Sequence, residues 1–212
     1  MQLVFRPTED EIKYIEEIGR AIYEAAMRDR RKSANPATQT VLANIKGFAG
    51  EFYAAKAYEV PVRPIIGRPD DGYDIVVAGY GVSVKASEFY PDPHLLNGNY
   101  CWPLKRDVHA LLLVQHDWPR LVRIGGWLTA DRFIREHKVE TFNDTWGPTR
   151  CVPLKGLEPP ETLKPTLLMS RHGYSELIER HPELDDWRLG RRIVGQLDKR
   201  TDEQHAYAEK NP

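Results

Sequence analysis

The run HALLLVQ, His109 to Gln115, restricts the fold more than any other stretch of this chain. It is continuously apolar, as a β-strand buried on both faces is, and such a strand needs cover on either side. LVRIGGWLT (Leu121 to Thr129) reads as the next strand, Ala130 to His137 as a short helix, and RCVPLKGL as a further strand or extended segment. Upstream, Thr8 and Glu11 make a capping box, and Ile12, Ile15, Ile18 and Ile22 recur at helical spacing, so residues 9 to about 30 form an amphipathic helix. The basic residues that follow, in RDRRKSANP, suit a helix C-terminus through the backbone dipole, with phosphate contact the alternative. A second helix, from roughly residue 38 to 58, carries Val41, Ile45, Phe48, Phe52 and Ala55 on one stripe. The expected fold is therefore α/β, with a mixed sheet of four or five strands flanked by helices over residues 1–165. Residues 166–212 are expected to add a charged helical extension and a polar tail.

Composition narrows the classes of function. The 212 residues, 41% of them hydrophobic, can furnish one principal core, and the formal net charge of -1 gives no global pull toward nucleic acid or an anionic membrane. Binding to either must come from local patches. Cys101 and Cys151 are far apart and neither belongs to a CxxC pair, which argues against a structural zinc site and a disulfide framework and fits a reducing cytoplasm. No stretch approaches the roughly 18 apolar residues of a membrane span, and the N-terminus lacks a signal-peptide pattern. The histidines lack metalloprotease spacing, and GxSxG, GxxxxGK[ST] and GxGxxG are all missing.

The chemistry is concentrated in GYDIVVAGYGVSVKAS, Gly72 to Ser87. Two strand-like runs joined by AGYG make a hairpin, and alternation sends Asp74, Ser83 and Lys85 to one face while Ile75, Val77, Val82 and Val84 fill the other. One helix earlier, Gly47 and Gly50 flank Glu51, although each glycine costs a helix about 1 kcal/mol. Small residues there let a helix approach a neighbouring sheet; the plain alternatives are helix-helix packing at the glycines with Glu51 solvated at the edge, and, for the hairpin, a solvated outer face. Residues 87–106 read as a long irregular loop of the kind that often carries function.

GFAGEFYAAKAY with Glu51, DGYD with Asp74 and SVK with Lys85, in that order, resemble the PD-(D/E)XK phosphodiesterase superfamily of restriction endonucleases and Holliday-junction resolvases. HALLLVQHDWPRLVRIGGWLTADRFI looks like the strand-strand-helix that follows in small phage or bacterial members. The resemblance implies a restriction-endonuclease-like core and Mg²⁺-dependent DNA cleavage, with Mn²⁺ able to substitute. Asp74 and Glu51 become metal ligands with the backbone carbonyl of Val84, and Lys85 the catalytic lysine. Ser83 stands where the family has Asp or Glu, so Glu51 is the substitute acid and Glu88 a second candidate. Ser83, Gly47 and Gly50 would line the site. Arg63, Arg68, Lys105 and Arg106 would meet phosphates, with Tyr100 and Trp102 available to stack on bases. A homodimer is a further partner by analogy. The competing expectations are a nuclease-like fold that binds nucleic acid or protein without cutting, and an interaction module whose hairpin face is merely solvated.

Overall fold

The computed structural model describes residues 3–28, 40–67, 72–88, 94–98, 104–105, 107–142 and 148–168. After a short strand β1 (Val4–Phe5), α1 (Glu9–Arg28) starts on the expected capping box. The Thr8 N–H donates to Glu11 Oε2 at 3.0 Å and the Glu11 N–H to Thr8 Oγ1 at 3.3 Å. The second helix, α2 (Val41–Tyr58), begins where Thr40 Oγ1 accepts from the Ala43 N–H at 3.0 Å, and ends at Glu59 in the left-handed region. The two helices touch at Gly19, where an added Cβ would lie 2.6 Å from Ile45 Cα.

The hairpin consists of β2 (Ile75–Val77) and β3 (Tyr80–Glu88), paired antiparallel with Val77 opposite Tyr80. Its turn is therefore two residues, Ala78 and Gly79, rather than the four of AGYG. Both have positive φ, 52° and 87°, the backbone that keeps a tight turn in step with strand twist. β5 (Ala110–Asp117) lies parallel to β3, β6 (Leu121–Thr129) returns antiparallel to β5, and β1 closes the far edge. The result is a mixed five-stranded sheet of order β1-β6-β5-β3-β2.

Parallel pairing of β3 with β5 explains the long segment between them, because parallel neighbours need a crossover of about a dozen residues or more. That segment is not wholly irregular. Residues His94–Gly98 form β4, which joins β8 (Pro148–Pro153) and β7 (Lys138–Thr141) in a second, three-stranded antiparallel sheet of order β4-β8-β7. The sequence reading of 87–106 as loop is corrected there; β4 is short, and its partner β8 lies some fifty residues away in the chain, so no local signal announces it. The helix α3 (Ala130–Glu136) sits where expected, after β6.

β5 is buried on both faces, as its apolar run requires. Ala110, Leu112 and Val114 join the core beneath α1 and α2, with Ile15, Ile45, Phe48, Tyr53, Ile75 and Val82. Leu111 and Leu113 join a second core with Leu95, Leu128, Phe133 and Val152, roofed by α3 and the small sheet. Each such leucine contributes on the order of 2 kcal/mol by leaving water. Leu167 is buried in the first core, two residues past the expected boundary at 165. The charged helical segment expected over most of 166–212 lies outside the described residues, which end at 168. No described helix is long and apolar enough to cross a membrane.

Candidate functional site

β2 has three residues and β3 nine, so β3 runs on beyond the pairing that β2 offers. Asp74 stands at that boundary. Its backbone N–H donates to the Val82 carbonyl at 3.0 Å, while its Oδ2 accepts from the Val84 N–H at 2.6 Å and from the Ser83 hydroxyl at 3.3 Å. A carboxylate thus takes the place of the missing strand residue, in a charge-assisted bond of the stronger kind. In an extended strand the N–H and C=O of one residue point to the same edge. The Val84 carbonyl therefore also faces the edge at which Asp74 sits.

Alternation from there orders the side chains. Val84 and Ala86 face α2: an added Cβ on Gly50 would lie 3.0 Å from Ala86 Cβ and 3.6 Å from Val84 Cγ1. Ser83 and Lys85 point to the opposite face, where Ser83 is buried and Lys85, opposite Leu113, is half-buried. No hydrogen bond or ion pair holds the Lys85 ammonium among the described residues. Asp74 and Ser83 meet, as the alternation of the hairpin predicts. Glu51, half-buried, follows Gly50 on the helix that covers the Val84 side.

The glycines flanking Glu51 separate in role. Gly50 lies against β3, as expected of a small residue at a helix-sheet contact, whereas an added Cβ on Gly47 would meet nothing within 4 Å. Of the basic residues, Lys105 is placed beside the hairpin, its Cδ 2.4 Å from where a Cβ on Gly72 would stand. Gly72, at φ 91°, can be there only without a side chain. Arg63 is exposed on the segment after α2. Arg68, Tyr100, Trp102 and Arg106 lie outside the described residues.

Glu88 belongs to different surroundings. It is four residues beyond Val84 on β3, about 13 Å at the usual strand rise, and is ion-paired with Lys46. Directly opposite it on β5 is His116, so the pair marks the carboxyl end of the two parallel strands. A cleft of about 430 Å³ opens there, lined by Lys46, Glu88, His116, Asp117, Trp118 and Leu121. Burial, with the Lys46 charge adding to it, lowers the His116 pKa against the opposing pull of Glu88 and Asp117. His116 Nδ1 is buried with no partner among the described residues.

Sequence reasoning missed this cleft, whose residues come from three distant segments. It also missed a buried polar layer between the sheets. Asn97 and Arg150 are paired across β4 and β8 and share the inward face with Leu95 and Val152. Gln115, fully buried on β5, accepts from Arg123 Nε at 3.0 Å. No periodicity marks such residues, because each stands alone among apolar neighbours until the sheets are stacked. Comparison with known proteins finds no match, whether among family models, characterised proteins or solved structures.

Proposed function

We propose that this protein cleaves DNA by metal-dependent phosphodiester hydrolysis, on a restriction-endonuclease-like core whose reacting edge lies where β3 runs on past the first residue of β2. The observation that carries the reading is the setting of Asp74. Its carboxylate is anchored by the Val84 N–H at 2.6 Å, beside Ser83 and on the strand that bears the half-buried Lys85. The anchored carboxylate is an oxygen donor of fixed position, and the Val84 carbonyl faces the same edge. With Glu51 from α2 the donors are all oxygen, the set that suits Mg²⁺ or Mn²⁺.

A bound cation would supply charge neutralisation at the phosphate and ease deprotonation of the attacking water. Asp74 orients that assembly, and its own geometry is held by the backbone rather than by a mobile side chain. The Lys85 ammonium stabilises negative charge on the phosphoryl oxygens and positions the water, a role open to a lysine with no other partner among the described residues. Ser83 lies beside the site as a neutral neighbour. Lys105, with Arg63, Arg68 and Arg106, contacts phosphates, and Tyr100 and Trp102 stack on bases.

The test incubates the protein with supercoiled and linear DNA in Mg²⁺, in Mn²⁺ and in chelator, beside Asp74→Asn and Lys85→Ala. Asparagine keeps an acceptor for the Val84 N–H, so Asp74→Asn retains the fold and removes only charge. Metal-dependent cutting by the wild type, reduced at least a hundredfold in both variants, is the expected result. Retarded DNA without cutting would replace this reading with the non-cutting one, and absence of both would reject the two together.

A further inference from the structure

The small sheet brings three metal-ligating side chains to one outer face, one from each strand. Cys151 lies on β8, His94 on β4 diagonal to it, and Glu140 on β7 diagonal on the other side. One ligand atom from each lies within 4.8 Å of the other two. From the placement of His94, Glu140 and Cys151 on adjacent strands we infer that this face is a Zn²⁺-class site, a staple across β4, β8 and β7 independent of the Asp74 edge.

Ligand atoms around a tetrahedral zinc stand about 3.3–3.8 Å apart, from bond lengths of about 2.0–2.3 Å. Rotation of the half-buried His94 and the exposed Glu140 toward the buried Cys151 closes the difference. One thiolate, one imidazole and one carboxylate select a borderline-soft ion such as Zn²⁺ or Co²⁺ over Mg²⁺. Three protein ligands leave the fourth position to water. The fold benefits, because all four residues of β7 are exposed and, among the described residues, β7 pairs with β8 alone. That strand has little apolar burial to hold it.

The same trio could be read as a nucleophile, base and orienting acid, but the thiol argues otherwise. Burial, and then the neighbouring Glu140 charge, push Cys151 up to about 11, with Lys138 opposing. A catalytic cysteine needs the reverse shift. A divalent cation between the sulfur and the carboxylate offsets the repulsion that a thiolate would meet there, and binding releases the thiol proton to solvent. Lys138, opposite Cys151 and exposed, is a cation on this face that works against the ion. Cysteine spacing argued against structural zinc because it counts only cysteines near in sequence; this set spans His94 to Cys151 and needs only one.

The experiment titrates the full chain, freed of metal by chelator, with Co²⁺ and follows thiolate-to-cobalt charge-transfer absorbance, then back-titrates with Zn²⁺. Saturation at one equivalent is expected, with the band abolished in Cys151→Ser, retained in Cys101→Ser, and the affinity lowered at least tenfold in His94→Ala and Glu140→Gln. Zn²⁺ should raise the melting temperature of the wild type and not of Glu140→Gln, whose side chain is exposed and whose melting in chelator should match the wild type. No charge-transfer band, or a band and affinity unchanged in His94→Ala and Glu140→Gln, overturns the inference. None of these readouts involves DNA, so the outcome is separate from that of the cleavage test.

Discussion

At Ser83 a hydroxyl stands beside the Asp74 carboxylate, 3.3 Å away, where a second acid would bring like charges together. Ser83 is only 3% exposed, so water does little to screen such a pair. Ser83→Asp should lower the melting temperature in chelator and regain it in Mn²⁺, a recovery that thermal melts with and without the ion would reveal. Failure to recover would mean that no cation is held at this edge. Asp74→Ala, unlike Asp74→Asn, should lose about 1.5–3 kcal/mol in denaturant titrations, because the Val84 N–H loses a charged acceptor. Alternation along the hairpin was enough to bring Asp74 and Ser83 to one side. That the carboxylate binds the Val84 N–H was not legible, since it follows from β2 beginning only at Ile75, one residue after Asp74.

Among elements, α1 and α2 show how the same residue type has opposite value in two settings. Replacing glycine by alanine inside a helix normally stabilises by up to about 1 kcal/mol. Gly47→Ala should gain most of that, because nothing lies within 4 Å of the new Cβ. Gly19→Ala should instead lose about 1–3 kcal/mol, since its Cβ would fall 2.6 Å from Ile45 Cα and 2.8 Å from Ile45 N, backbone atoms that cannot rotate away. Urea denaturation of the two variants gives the comparison; equal shifts would show that α1 and α2 do not pack as described. The sequence marked Gly47 and Gly50 together as unusual. Only the packing of α2 on β3 shows that Gly50 is the one under constraint.

For the whole molecule, stability should fall in two stages on acidification. Burial, first of all, lowers the pKa of His116 and of His137, so the folded protein resists a proton that the unfolded chain takes up. Their contribution is complete above the ordinary histidine value of 6.5 and is lost as pH falls below it. Glu11 acts lower. Burial would raise its pKa, but hydrogen bonds from Lys56, the Thr8 N–H and the Tyr53 hydroxyl outweigh burial and lower it. Its contribution is present above 4.5 and lost as pH falls further. Melting temperature against pH should show both stages; Glu11→Gln should flatten the lower one and His116→Gln should reduce, without removing, the upper one.

Elements whose signals are local could be read from the chain directly: the capping box and isoleucine spacing of α1, the stripe of α2, the apolar run of β5, the limits of β6 and α3. Their determinants lie within a few residues of one another, where helix hydrogen bonds and strand alternation act. What only the tertiary structure decided are the relations between distant segments. These include the parallel pairing of β3 with β5 through the crossover at 89–109, the joining of β4, β8 and β7 into a second sheet, and the convergence of His94, Glu140 and Cys151. Strand register depends on which faces bury together, and a single strand carries no record of its partner.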